Sequence, residues 1–143
     1  MSWLGVDIGT SSCKAAAFDD AGRCLAEAKQ DYELLRPEPD AAVIDPDRLS
    51  AAWRHAIADC AAQVAHDPPR ALAISSQGEA VLALDASGRP LAPVLTSLDN
   101  RPLPALAALE SRMGSAAIYQ RTGHRPQAMY SLAKLAWLRQ TQP

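Results

Sequence analysis

The chain has 143 residues, with 14 lysines and arginines against 16 aspartates and glutamates, and a net charge of -2 at neutral pH. This length is typical of one domain with one hydrophobic core. The basic residues are scattered, which argues against nucleic-acid binding, and no apolar run approaches the roughly 20 residues of a membrane helix. We therefore expect a globular cytoplasmic protein with neither a nucleic-acid nor a membrane partner.

The cysteines give no sign of a disulfide framework or a metal site. Cys13, Cys24 and Cys60 are odd in number, and their spacing matches neither a zinc nor a redox motif. Unpaired cysteines are commonly buried as small apolar side chains. We expect that role for all three.

The predicted elements begin with a short buried strand in SWLGVDIG and two further strands joined by a turn at residues 19–22. Together they predict an antiparallel start. A polar connection then offers Asp45 or Asp47 as a helix cap, with Pro46 in the first turn. Apolar residues recurring at three- and four-residue steps predict a helix from Asp47 to about residue 65.

The second half of the chain adds one more strand and several short helices. The apolar run ALAISSQ follows a helix and predicts a strand parallel to an earlier one. A hairpin is predicted about residues 85–88, then one or two short helices within 106–118 and another over 130–139. The order of elements predicts a mixed α/β fold.

The stretch GVDIGTSSCK combines a carboxylate with small residues that suit phosphate. Gly9 permits close approach of a ligand, and the following hydroxyls and backbone N–H groups can bind anionic oxygens, at Thr10, Ser11 and Ser12. Asp7 repels phosphate unless a divalent cation lies between them, and one carboxylate can orient the waters of Mg²⁺. We therefore predict a phosphate loop in which Asp7 binds Mg²⁺ through water.

Two alternatives remain open for this stretch. Lys14 either adds a positive charge for phosphate or points to solvent. The whole segment could instead be a plain hairpin of small polar residues, in which Asp7 bonds its own backbone.

Five segments, in chain order, resemble the FGGY family of carbohydrate kinases, which includes xylulokinase and glycerol kinase. They are GVDIGTSSCKAAAFDDAGRCLA, IDPDRLSAAW, LAISSQGEAVLALDASGRPL, TSLDNRP and RTGHRPQAMYSLAKLAWLRQTQP. The resemblance implies a ribonuclease H-like fold of the actin-like ATPase superfamily, with a mixed sheet flanked by helices. It also implies that residues 1–143 are the N-terminal part of a first kinase domain, which is incomplete here.

The resemblance implies transfer of the γ-phosphoryl group of ATP, with Mg²⁺, to a hydroxyl of a pentulose or related polyol. It assigns the phosphates and Mg²⁺ to the first loop, at Asp7, Gly9, Thr10, Ser11 and Ser12. The aspartate that acts as general base in such kinases is expected beyond residue 143. We therefore expect this polypeptide alone to be inactive.

The resemblance places sugar-hydroxyl recognition at Gln77, Gly78 and Glu79, and a second edge of the sugar pocket at Asp99, Asn100 and Arg101. Gly78 stands where glycerol kinase has an arginine, and Ser97 where the family usually has tryptophan. These departures leave the identity of the sugar open.

Structural roles are also open for the candidate sugar residues. Glu79 could be a solvated residue at a strand end. Asp99 could cap a helix entered at Pro102, or pair with Arg101, without binding any ligand.

Two other functions compete with a sugar kinase. One is a non-catalytic sugar-binding or regulatory module, and the other is a different phosphotransferase of the actin-like superfamily. A half-domain that lacks later strands would leave a sheet edge and an apolar face uncovered, which predicts a homo-oligomer.

Overall fold

A computed structural model describes residues 1–141, and the chain divides into two compact units. Unit 1 holds residues 1–34 and 44–77, and unit 2 holds residues 35–43 and the chain from residue 78 onward. The elements in chain order are β1 (Ser2–Ile8), β2 (Ser12–Asp19), β3 (Cys24–Asp31), β4 (Val43–Ile44), α1 (Pro46–Gln63), β5 (Pro69–Ser76), β6 (Val94–Leu95), α2 (Leu103–Met113), α3 (Ser115–Thr122) and α4 (Ser131–Thr141).

Unit 1 contains a four-stranded sheet in the order β3-β2-β1-β5. β1 pairs antiparallel with β2 and parallel with β5, and β2 pairs antiparallel with β3. The predicted antiparallel start and the predicted parallel strand are both confirmed, and the sheet is mixed.

The turn between β2 and β3 is built around one carboxylate. Oδ1 of Asp19 accepts from the backbone N–H groups of Ala21 and Arg23, each at 2.9 Å, and Gly22 takes a φ of +76°. The side chain of Arg23 pairs with the other carboxylate oxygen at 2.8 Å. Sequence-local hydrogen bonds therefore fix this turn where the residue pattern predicted it.

α1 begins at Pro46 because Asp45 caps it. Oδ1 of Asp45 accepts from the N–H groups of Asp47 and Arg48 at 2.9 and 3.0 Å, so Asp45 rather than Asp47 is the cap. The helix packs on β2 and β3 with small residues buried, at Ala52, Ala56 and Cys60. It ends two residues earlier than expected, at Gln63.

Only one face of the sheet is covered by α1, and that face holds the core of unit 1. Leu4 and Val6 are buried there. Their partners on β5, Leu72 and Ile74, share this face but remain 51% and 59% exposed. In the part of the chain that the structure describes, β5 pairs with β1 alone, so its outer backbone edge is unpaired, and Leu72 and Ile74 form an exposed apolar strip.

In unit 2, β4 and β6 pair, and α2 packs on α4. Val43, Leu95 and Leu138 form a buried cluster there. The predicted turn at residues 85–88 is formed around the Asp85 carboxylate, but the flanking residues make the isolated bridges Val81–Leu95 and Leu84–Pro90 instead of continuous strands. Prolines at positions 90 and 93 lack the N–H that a strand ladder requires.

The cysteine expectation is confirmed for two residues and wrong for one. Cys13 and Cys60 are buried, whereas Cys24, the first residue of β3, is exposed.

Within residues 1–141, no helix combines the length and apolar character needed to cross a bilayer.

Candidate functional site

The predicted phosphate loop, residues 9–12, is a tight turn between β1 and β2. The Gly9 N–H donates to the carbonyl oxygen of Ser12 at 2.9 Å. A Cβ added at Gly9 would lie 3.2 Å from that same oxygen, so a larger residue would need the turn to shift by a few tenths of an ångström. Glycine allows this close approach within the loop itself.

The carbonyl oxygens of the loop accept hydrogen bonds from inside unit 1. The Tyr32 hydroxyl shares its one proton between the carbonyl oxygens of Gly9 at 2.6 Å and Ser12 at 3.1 Å, and the Tyr32 N–H donates to that of Ser11 at 3.0 Å. Tyr32 was not singled out from the sequence. Burial, with the charges of Cys13 and Asp7, raises the pKa of Tyr32 to about 12, so its hydroxyl is protonated at neutral pH.

Asp7 and Lys14 are cross-strand neighbours, directly opposite each other on β1 and β2. Both lie on the sheet face that α1 does not cover, beside an open cavity of about 400 Å³ that Ser75 also lines. Within residues 1–141, no ion pair joins the two side chains. Asp7 is exposed at the end of β1, so its carboxylate is accessible to a ligand.

Gln77 follows β5 and turns its side chain toward the phosphate loop. Its N–H donates to the Ile8 carbonyl oxygen at 2.8 Å, and its Nε2 donates to the Gly9 carbonyl oxygen at 3.2 Å. Its Oε1 is buried and has no hydrogen-bond partner within residues 1–141. The structure thus brings Gln77 together with the loop residues in unit 1.

Gly78 and Glu79 belong to unit 2. A Cβ added at Gly78 would meet nothing within 4 Å. Glu79 has a φ of +63°, an uncommon backbone conformation for a residue other than glycine. Its backbone is therefore held by other groups.

Two residues of α4 contact Glu79, Ser131 at its carboxylate and Lys134 at its backbone carbonyl oxygen. The Glu79 carboxylate accepts from the Ser131 N–H and from the Ser131 hydroxyl, each at 2.7 Å, and these bonds lower the pKa of Glu79. The fully buried Lys134 donates from Nζ to the Glu79 carbonyl oxygen and, at 2.7 Å, to that of Met129. Glu79 is partly exposed, and one of its two carboxylate oxygens is bonded to Ser131.

Glu79 also lines a cavity of about 220 Å³ in unit 2. The cavity is lined by polar groups of Thr122, His124, Tyr130 and Ser131 and by the apolar side chains of Leu106 and Ile118. The His124 and Tyr130 rings lie 5.0 Å apart. A carboxylate, hydroxyls and an imidazole around one small cavity can donate to and accept from the hydroxyl groups of a polyol.

Asp99 and Arg101 form a structural ion pair in unit 2. Asp99 is completely buried, and Arg101 donates to its carboxylate from Nε and Nη2, with Nη2 at 2.7 Å from Oδ2. The Ala42 N–H donates to the same carboxylate at 3.1 Å. The predicted pairing with Arg101 is confirmed. The alternative that Asp99 caps α2 is wrong, since that helix begins without a side-chain cap.

The remaining partners of Arg101 come from the segment before β4 and from α4. Arg101 also donates to Glu38 at 2.8 Å, and its guanidinium lies 4.8 Å from the centre of the Trp137 ring. Asp99 and Glu38 together raise the pKa of Arg101. Asn100 is exposed and donates its N–H to the Asp40 carbonyl oxygen at 2.8 Å.

Comparison with known proteins gives a consistent family. Residues 2–143 match the family model described as the N-terminal domain of the FGGY family of carbohydrate kinases. The chain is 30% identical over 135 residues to the gluconokinase of Bacillus subtilis (strain 168), covering 94% of this chain and 26% of the relative. It is 36% identical over 140 residues to the glycerol kinase of Leptothrix cholodnii, with coverages of 94% and 28%.

Solved structures agree with the sequence relatives. The xylulose kinase of Rhodospirillum rubrum superposes with a TM-score of 0.93 at 27% identity, over 100% of this chain and 30% of that chain. The gluconate kinase of Lactobacillus acidophilus gives 0.89 at 26% identity, over 99% and 29%. This chain belongs to the FGGY family of carbohydrate kinases and has the actin-like ATPase fold that the resemblance implied. It spans little more than a quarter of the length of these relatives.

Proposed function

We propose that residues 1–143 form the N-terminal part of the first domain of an ATP-dependent kinase, which transfers a phosphoryl group to a hydroxyl of a pentulose or related polyol. The observation that carries the proposal is the phosphate loop. Three of its four carbonyl oxygens are bonded within unit 1, while an exposed carboxylate, Asp7, lies two residues before it. Family membership favours this activity over that of another actin-like phosphotransferase.

The loop offers groups that fit the phosphates of MgATP. Backbone N–H groups and hydroxyls of Thr10, Ser11 and Ser12 suit anionic oxygens, and Asp7 suits a water molecule on Mg²⁺. A metal held through water and phosphate needs only one or two protein carboxylates. The ion would neutralise negative charge on the transferred group. Lys14, opposite Asp7, would add a positive point charge on the same face.

Acceptor recognition is assigned to the segment after β5. The backbone of Glu79 is fixed by Lys134 and one of its carboxylate oxygens by Ser131, so the other oxygen can accept from a sugar hydroxyl without reorganisation. Gly78 leaves open space beside it. Relatives named gluconokinase, glycerol kinase and apulose kinase all act on polyhydroxylated acceptors, which supports a polyol substrate for this chain.

Asp99, Asn100 and Arg101 contribute to the acceptor site differently. The Asp99 carboxylate already accepts hydrogen bonds from Arg101 and from the Ala42 N–H. We therefore propose that the Asp99–Arg101 ion pair fixes the shape of the acceptor site and does not bind the acceptor itself. Asn100, which is exposed, has a side chain accessible to a ligand.

The uncovered strip on β5 supports self-association of this polypeptide. Leu72 and Ile74 lie on a strand whose outer edge is unpaired in the described residues, and a second copy that pairs with this edge and packs on its apolar face would bury both side chains. Light scattering on the 143-residue chain should give at least a dimer, and a monomer at all concentrations would contradict this part of the proposal.

The exposed thiol of Cys24 suits the reducing cytoplasm.

Phosphoryl transfer is tested on the native protein isolated from its source cell. A coupled ADP-release assay with xylulose, glycerol and gluconate should show turnover that depends on one of these acceptors. Asp7→Asn should lower kcat by about a hundredfold or more, since loss of a group that orients the metal removes transition-state stabilisation. The exposed Asp47→Asn is the matched control and should leave kcat unchanged. Acceptor-dependent turnover that is equally fast in Asp7→Asn would contradict the proposed role of the loop.

A further inference from the structure

We infer that Tyr32 and Gln77 are positioning residues of the phosphate loop, which hold its carbonyl oxygens inward and leave the N–H groups of Thr10 and Ser11 free to bind phosphate. The claim that Tyr32 and Gln77 hold the loop carbonyl oxygens inward concerns this chain alone. Only the claim that the loop binds phosphate rests on the proposed function. Neither residue is required to touch the nucleotide in this role.

Tyr32 reaches the loop from just beyond the end of β3 and makes three contacts with it. Its side chain is buried, and its hydroxyl lies 2.6 Å from the Gly9 carbonyl oxygen and 3.1 Å from that of Ser12. Its backbone N–H donates to the Ser11 carbonyl oxygen at 3.0 Å. One residue thus bonds three of the four carbonyl oxygens in the loop.

Gln77 supplies a fourth contact from β5, on the other side of β1. The amide group facing Gly9 must be the nitrogen, because two carbonyl oxygens at 3.2 Å would repel each other. The Gly9 carbonyl oxygen therefore accepts from both Tyr32 and Gln77, which uses both of its lone pairs.

The side-chain amide of Gln77 has one protein hydrogen bond in the described part of the chain, and it is with the loop. Oε1 of Gln77 is buried, and within residues 1–141 no protein group donates to it. Only the amide nitrogen of Gln77 gains a partner, and that partner is the loop carbonyl.

The other side of the loop is left open by the same contacts. In the described part of the chain, the Thr10 and Ser11 N–H groups donate to no protein acceptor. If the Gly9 or Ser11 peptide plane turned over, a carbonyl oxygen would face the phosphate instead and repel it. Successive N–H groups held in one direction form an anion-binding edge.

Amide hydrogen exchange followed by NMR on the 143-residue chain tests the hold directly. In Tyr32→Phe and in Gln77→Leu, the amides of Gly9 and Tyr32 should exchange about tenfold faster, which is the change that a loss of about 1.4 kcal/mol produces. Amides of α1 and the middle of β2 should be unchanged. Tyr119→Phe removes an exposed hydroxyl on α3 and is the matched control.

Two exchange results would overturn the inference. One is unchanged exchange at Gly9 and Tyr32 in both variants, and the other is an equal acceleration at every protected amide, which indicates a loss of global stability alone. Neither result requires a ligand.

Binding of inorganic tripolyphosphate with Mg²⁺ gives the second readout. We expect the Kd to rise about tenfold in Tyr32→Phe, in line with the same 1.4 kcal/mol, and to be unchanged in Tyr119→Phe. Equal affinity in wild type and Tyr32→Phe would overturn the positioning of the N–H groups. If the wild type binds no tripolyphosphate, the proposed function of the loop fails, while the exchange result still decides whether Tyr32 and Gln77 hold it.

Discussion

Lys134, completely buried in α4, donates from Nζ to the backbone carbonyl oxygen of Glu79, a residue with a φ of +63°. Burial lowers the pKa of Lys134, whereas the charges of Glu79 and Asp99 raise it. A buried lysine is uncommon unless its ammonium has partners, and here two carbonyl oxygens provide them. This cation therefore stabilises the unusual backbone at the candidate acceptor residue.

Replacing the buried ammonium should destabilise the fold of unit 2. In Lys134→Met the carbonyl oxygens of Glu79 and Met129 lose their donor, and we expect the free energy of unfolding to fall by about 1–3 kcal/mol. Urea unfolding measures the change. Lys29→Met, on the exposed surface of β3, is the matched control and should change stability by less than about 0.5 kcal/mol. Equal stability of the two variants would contradict a supporting role for Lys134.

The acid titration of Glu79 should depend on Ser131. The Ser131 bonds lower the folded-state pKa of Glu79 below its ordinary 4.5, so this carboxylate stabilises the folded chain at neutral pH. That contribution is lost as the pH falls through the folded-state pKa. In Ser131→Ala the pKa of Glu79 should rise, measured by the ¹³C carboxyl shift against pH.

Ser115→Ala is the control for that titration, because it removes a hydroxyl that donates to Glu110 at 2.6 Å. We expect it to leave the pKa of Glu79 unchanged. A Glu79 titration that is the same in wild type and Ser131→Ala would show that the hydroxyl contributes nothing to the charge state.

The buried ion pair of Asp99 should matter far more than an exposed one. Asp99→Asn leaves Arg101 with a neutral partner in a buried setting, and we expect a loss of about 3 kcal/mol of unfolding free energy. Asp31→Asn breaks a solvent-exposed pair with Lys29 and should cost less than about 1 kcal/mol. Calorimetric unfolding compares the two variants, and equal losses would contradict a structural role for Asp99.

Tyr32 should be the last tyrosine to ionise. Because burial raises its pKa to about 12, the protonated phenol stabilises the folded chain fully below the ordinary value near 10, and this contribution is lost as pH rises through about 12. The ultraviolet absorbance of phenolate, followed against pH, should show a late step that Tyr32→Phe abolishes and Tyr119→Phe retains. A late step that persists in Tyr32→Phe would contradict the burial of this hydroxyl.

Sequence patterns predicted the elements whose hydrogen bonds are local. The turn at Asp19 and the cap at Asp45 each join groups within four residues, so the residue types alone predict them. The turn at Asp85 is local in the same way, whereas the bridge between Val81 and Leu95 beyond it joins residues far apart in the chain. That pairing could not be read from alternation of apolar residues.

The residues that hold the candidate site were harder to predict. Tyr32 contacts Gly9 across 23 positions, and Lys134 contacts Glu79 across 55, so no local motif links either pair. Lys134 lies in an apolar helical pattern, where a lysine would ordinarily extend to solvent. The contact of Glu38 with Arg101 spans 63 positions and has no sequence signal either.

The measurement that tests the central claim most directly is an amide NMR titration of the chain with magnesium tripolyphosphate. The account predicts that the largest shift changes fall on Thr10 and Ser11, that they saturate, and that they weaken strongly in Asp7→Asn or without Mg²⁺. Saturable shifts centred elsewhere, or none at millimolar concentrations of the probe, would contradict a phosphate site at this loop.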